Sequence, residues 1–245
     1  MKLLHEEQTP YANYRIVQRG RRVDMDVQGA VFATFHPDQL LTGYSWDAIT
    51  AAAALTPYKR VRRLLMLGVA GGTSLRQIRR LWPKAKLVGL DIDRRLIRAA
   101  NRYMGLQDCQ VEMIFGDADQ KLKTLEGSFD VIIDDLYKCG HLDVERGGVP
   151  FPSRLQNLVP LLAPKGIIAA NFINDVGFEQ PLDQGQKAFQ ANFKENACIR
   201  SIYGYNQVFV GGKCLRPDFD LKTYGHKWTS PRDKQLWNDL KVEFL

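Results

Sequence analysis

"LLMLGVAGGTSLRQIRRLW", residues Leu64 to Trp82, passes from an apolar run through a turn of small residues into a helical pattern. Leu64, Leu65, Met66 and Leu67 show no polar alternation, as a parallel strand covered on both faces requires. Leu75, Ile78 and Leu81 then recur at helical spacing until Pro83 closes the helix. Gly68, Gly71 and Gly72 lie between, where missing Cβ atoms let the backbone turn sharply and let a ligand approach the first helical amides. The turn is of the nucleotide-binding kind, although the same residues also suit a tight turn without a ligand.

Downstream, strand and helix patterns alternate. "AKLVGLD" (Ala85 to Asp91), "CQVEMIFGD" (Cys109 to Asp117), "SFDVIIDD" (Ser128 to Asp135) and "IIAANF" read as strands, with helices through "RRLIRAANRYMG" and "SRLQNLVPLLA" between them. Such alternation predicts an α/β fold of Rossmann-like type, a mostly parallel sheet with helices on both faces. "ACIRSIYGYNQVFVGG" (Ala197 to Gly212) reads as two strands joined by a short turn, so the last pair is expected to be antiparallel. Upstream, "YRIVQRGRRVDMDVQGAVFATF" (Tyr14 to Phe35) alternates apolar and polar residues around Gly20 and Gly29, which predicts a small antiparallel sheet. Ser45 to Leu55 forms a linking helix in this reading. The expected division is residues 1–57 for the β extension and its helix, and 58–245 for the main domain. The tail "YGHKWTSPRDKQLWNDLKVEFL" (Tyr224 to Leu245) is mixed and receives no role.

With 245 residues, 45% of them hydrophobic and 25% charged, the chain suffices for one α/β domain and a modest extension. The formal net charge of +7 comes from scattered Arg and Lys rather than one long run, so nucleic acid is not an expected partner. No apolar stretch reaches the length of a membrane span, and "MKLLHEEQTPY" turns acidic and polar after two leucines. A cytoplasmic protein without signal peptide or anchor is the expectation. Cys109, Cys139, Cys198 and Cys214 are far apart, with neither a CxxC pair nor a histidine cluster, which predicts reduced thiols and no metal site.

In an open parallel sheet, ligands bind beyond the carboxyl ends of the strands. The acids fall at those ends. Asp91 stands about 20 residues past the glycine loop, where a carboxylate accepts hydrogen bonds from both ribose hydroxyls of a nucleotide. Asp93 is read as a helix cap. Asp117 either accepts from an adenine amine or caps the next helix. Asp134 and Asp135 end the fourth strand and point to opposite sides of it, toward a reactive centre and an incoming substrate. "LGVAGG" lacks the GxGxxG spacing of dehydrogenases.

From about Tyr14 to Val210 these motifs resemble the class I S-adenosylmethionine-dependent transferases, and among them the spermidine synthases or polyamine aminopropyltransferases. The resemblance implies that Gly68, Ala70, Gly71 and Gly72 surround the methionine part of S-adenosylmethionine or its decarboxylated form. It places Asp91 at the ribose and Asp117 at the adenine, with Ile92 and Ala118 among the cofactor-binding residues. Asp135 would bind and deprotonate an attacking amine, Tyr137 would line the entrance, and Asp134 would order the cofactor loop. A homodimer formed through the N-terminal region is implied as well.

Three positions depart from that pattern. Ala70 stands at the place of the loop aspartate, Lys138 at the place of the second amine-site acid, and Ser45 where a histidine follows Tyr44. Lys138 would repel a diamine. The main expectation is therefore methyl transfer to a small acceptor. The alternative is aminopropyl transfer with the amine site rebuilt, and a third reading is a non-catalytic nucleotide-binding protein. "YKCGHLDVERGG" (Tyr137 to Gly148) is expected to be a polar loop or lid, with His141 on its surface.

Overall fold

Strands β1 (Lys2–Gln8), β2 (Asn13–Arg19), β3 (Arg22–Val27) and β4 (Ala30–Phe35) pair in chain order into an antiparallel sheet. Its pattern is that of a sheet with one covered face: in β2, Tyr14 and Ile16 are buried while Asn13 and Arg15 are exposed. Helix α1 (Ser45–Ala54) follows. The computed structural model describes every residue except 59, 141–143, 174–178 and 217–220, so His141 lies outside the described residues.

The main sheet is built from β5 (Arg63–Leu67), α2 (Thr73–Leu81), β6 (Lys86–Asp91), α3 (Arg94–Tyr103), β7 (Val111–Phe115), α4 (Ala118–Leu122) and β8 (Phe129–Asp134). A hairpin of β9 (Tyr137–Cys139) and β10 (Val144–Arg146) comes next, then α5 (Phe151–Leu158), β11 (Leu162–Ile173), α6 (Glu179–Asn192), β12 (Glu195–Arg200) and β13 (Asn206–Gly212). Helices α7 (Lys222–Gly225) and α8 (Pro231–Asn238) and strand β14 (Lys241–Phe244) close the chain. The strand order is β14-β12-β13-β11-β8-β5-β6-β7. Pairing is parallel from β7 to β11, and β13 is antiparallel to both β11 and β12. The order reverses between β5 and β8, which places the ligand crevice at their carboxyl ends.

Every central strand is buried on both faces. Leu64 and Met66 pack into the layer that includes α1, α2, α3 and the N-terminal sheet, whereas Leu65 and Leu67 pack into the layer of α4, α5 and α6. Phe151, Phe172, Phe189 and Phe209 fill that second layer, the ring of Phe151 lying edge-on to Phe172 with centroids 5.2 Å apart.

Three expectations are corrected. β11 begins at Leu162 and absorbs the anticipated turn "PKG", because a register shift between Leu162 and Ile167 lets that segment pair with β8. The expected loop after Asp135 contains a two-stranded hairpin in which Tyr137 pairs with Arg146. The tail adds an edge strand, with Val242 opposite Ile199.

Candidate functional site

The glycine loop joins β5 to α2 with Gly68, Ala70 and Gly72 in the left-handed region, at φ of 77°, 46° and 74°. A Cβ on Gly68 would lie 2.3 Å from the carbonyl oxygen of Asp135, so glycine is dictated by the neighbouring strand end. Asp91, at the end of β6, anchors the loop: its Oδ2 accepts from the amides of Val69 at 3.0 Å and Ala70 at 3.1 Å, and its Oδ1 from the amide of Asp93 at 2.9 Å. Burial pushes the Asp91 carboxyl up against the lowering effect of these bonds. The N-terminal sheet closes over the loop, since the Thr34 amide donates to the Thr73 hydroxyl, which donates back to the Thr34 carbonyl.

Between the two units lies a cavity of about 490 Å³. Gly68, Ala70, Asp91, Ile92, Asp135 and Tyr137 all line it. Ile92 is 40% exposed and gives that end an apolar edge. Tyr44 and Trp46, held before and within α1, give the cavity aromatic walls.

The remaining predicted residues lie elsewhere. Gly71 and Gly72 face the protein: a Cβ on Gly71 would lie 2.5 Å from Ala33 Cβ, and one on Gly72 would lie 2.4 Å from Leu106. Close packing explains both. Asp117 caps α4 by accepting from the Gln120 amide at 2.9 Å, and buried Ala118 belongs to that helix; neither lines the cavity. Asp134, fully buried, pairs with Arg146 at 2.8 Å and Arg154 at 3.3 Å, so it fastens the hairpin and α5 rather than the glycine loop. Asp93 caps α3, as read from the sequence.

Asp135 is half-buried, and its Oδ1 accepts from Asn171 Nδ2 at 2.8 Å. Burial pushes its carboxyl up to about 6, opposed by that hydrogen bond and by Arg146. Asn171 is held in turn. Its side-chain oxygen accepts from Asn206 at 3.1 Å, while its carbonyl accepts from the Tyr137 hydroxyl at 3.0 Å and from the Arg146 guanidinium. Arg146 lies over the Phe172 ring, 4.4 Å from its centroid. Lys138 turns to Glu145 at 2.9 Å, which offsets the charge expected to repel an amine.

A model of a methyltransferase domain matches residues 64–166. A polyamine aminopropyltransferase of Moorella thermoacetica is 27% identical over 137 residues, covering 54% of this chain and 47% of that protein. The chain matches about half or less of the length of such curated relatives. Among solved structures, a spermidine synthase in complex with the transition state analogue AdoDATO superposes with a TM-score of 0.72 at 18% identity, covering 93% of this chain and 80% of that one. Thermotoga maritima spermidine synthase gives a TM-score of 0.72 at 16% identity, covering 96% and 82%. The chain has the class I methyltransferase fold and is similar to the spermidine synthases and polyamine aminopropyltransferases.

Within this site, sequence reasoning missed Asn171, Asn206 and Arg146. Asn171 carried a usable signal, a lone polar residue in the otherwise apolar "IIAANF", now 4% exposed beside Asp135. Arg146 carried none, because its partners come from β8, β11 and α5.

Proposed function

We propose that this chain is a transferase that takes an aminopropyl group from an adenosylsulfonium donor and delivers it to the nitrogen of an amine. The observation that carries the reading is Asp135: a half-buried carboxylate on the cavity wall with one side-chain partner among the described residues and a pKa raised to about 6. Such a group is ionised at neutral pH, attracts an ammonium, and is basic enough to take its proton. The relatives being polyamine aminopropyltransferases supports the same chemistry.

The residues present fit an adenosyl group. A carboxylate has about four acceptor sites. Three of those on Asp91 are used by main-chain amides, which leaves roughly one for a ribose hydroxyl rather than the two expected from sequence. Gly68 and Ala70 would border the donor's tail, and Ile92 would flank the base. Bound there, the donor supplies a carbon activated by its sulfonium, with a neutral thioether as leaving group. The chain's own part is orientation and proton removal. Asp135 holds the amine and accepts its proton, Asn171 fixes the carboxylate, and Tyr137 shapes the wall.

Methyl transfer is the second reading, favoured by the lack of any carboxylate in the loop 68–72 to meet the ammonium of a decarboxylated donor. Calorimetry with S-adenosylmethionine, decarboxylated S-adenosylmethionine and methylthioadenosine separates the two. The proposal expects the decarboxylated donor to bind and methylthioadenosine to be released during turnover. Binding of S-adenosylmethionine alone, with release of S-adenosylhomocysteine, would overturn it in favour of methyl transfer. No binding of any of the three would overturn both transferase readings.

A further inference from the structure

The segment from Leu40 to Gly43 enters neither helix nor sheet, yet its four successive main-chain amides all donate to two buried carboxylates. The Leu40 amide donates to Asp233 Oδ2 at 3.0 Å and the Leu41 amide to Asp233 Oδ1 at 3.3 Å. The Thr42 amide donates to both oxygens of Asp47 at 3.0 Å, and the Gly43 amide to its Oδ2 at 2.6 Å. The carbonyls are held as well: Leu40 accepts from Gln77 Nε2 at 2.9 Å, Leu41 from Arg232 Nη1 at 2.7 Å and Gly43 from the Tyr203 amide at 2.8 Å. Asp47 is fully buried and Asp233 is 2% exposed, and a buried carboxylate is costly unless hydrogen-bonded, so the conformation of the segment is tied to both.

That conformation shapes the cavity. Leu40, Leu41, Thr42 and Tyr44 line it, as does Arg232 beside Asp233. Tyr44 leaves the clamped segment with its ring 5.7 Å from that of Tyr203, and a Cβ on Gly204 would lie 3.6 Å from Tyr44 Cδ1 and 3.8 Å from Asn206 Oδ1. Asn206 donates to Asn171, which donates to Asp135. The segment therefore forms the wall on the side that leads to Asp135, whereas Asp91 and Ile92 mark the other side. Asp47 belongs to α1, next to the segment in sequence. Asp233 belongs to α8 and lies 193 residues from Leu40, so through it the C-terminal tail bears on the cavity.

We infer that Asp233 is a positioning residue for the acceptor: together with Asp47 it fixes the segment that carries Tyr44, and so the width of the amine site. The inference deepens the transferase reading above and rests on it for the assignment of the Asp135 side to the amine.

The test is calorimetry of wild type and Asp233→Ala, first with methylthioadenosine and then, on the protein saturated with it, with whichever of butylamine and putrescine binds wild type more tightly. Each titration is run well below the melting temperature of the variant. Methylthioadenosine affinity is expected to stay within about twofold, while the amine binds about tenfold more weakly. Hydrogen exchange is expected to show lost protection at amides 40–43. Tyr44→Ala leaves both carboxylates in place and is expected to weaken the amine to a similar extent, and the double variant no further, because the two changes act through one element. Asp233→Asn keeps one acceptor oxygen and is expected to fall between wild type and Asp233→Ala; it carries the same comparison if Asp233→Ala does not fold. Equal weakening of both ligands, losses that add in the double variant, or unchanged amine binding overturns the inference and leaves the transferase reading standing. Wild type that binds neither amine overturns that reading and the inference with it.

Discussion

Asn171 donates its side-chain amide to the carboxylate of Asp135 at 2.8 Å, joining the end of β11 to the residue that follows β8. The bond stabilises the charged form of a carboxyl that burial pushes up to about 6. Replacing the amide in Asn171→Leu is expected to move the acidic limb of kcat/KM to higher pH by about one to two units, since a hydrogen bond to a charged group contributes about 1.5–3 kcal/mol. A pH–rate profile that does not move would show that Asn171 acts on packing alone.

Asp135→Asn is expected to lower turnover by about two to four orders of magnitude, the span of a lost general base, while methylthioadenosine affinity changes little. Single-turnover kinetics and calorimetry read the two quantities separately. Equal turnover by wild type and variant would remove Asp135 from the chemistry.

The same carboxyl makes stability depend on pH. Its folded pKa of about 6 lies above the ordinary 3.8, so its contribution is fully present below that ordinary value and is lost as pH rises through about 6. Asp134, Arg146 and Asn171 face it and set the balance. Wild type is therefore expected to lose stability relative to Asp135→Asn between about pH 4 and pH 7 in urea unfolding. A constant difference across that window would refute the raised value.

Arg146→Met removes a cation from Asp134, which is fully buried and keeps Arg154 as its remaining ionic partner. The expected cost is about 3 kcal/mol, at the lower end for a broken buried pair because Arg154 stays. Chemical denaturation measures it. A cost below about 1 kcal/mol would mean that the stacking of Met on Phe172 replaces the ion pair.

Gly71→Ala tests the packing assignment, because the added Cβ would lie 2.5 Å from Ala33 and 2.9 Å from Met104. Stability is expected to fall by about 1–3 kcal/mol, the usual range for overpacking, with nucleoside affinity of the folded protein retained. Lost affinity at unchanged melting temperature would return Gly71 to the ligand side.

The sequence by itself determined the sheet and the location of the crevice. Apolar runs without alternation, such as Leu64 to Leu67, are stable only when covered on both faces, and strand–helix alternation then leaves few topologies. It also placed Asp91 and Asp135 at strand ends, because strand length is legible from local pattern. Only the tertiary structure decided which face each residue shows. Gly71 and Gly68 are alike in sequence, yet one meets Ala33 from β4 and the other the backbone of Asp135. Asp134 and Asp135 are neighbours, yet the first is consumed by Arg146 and Arg154 while the second opens onto the cavity. Those partners arrive from segments distant in the chain, and a carboxylate's chemistry is set by which donors and charges reach it in space.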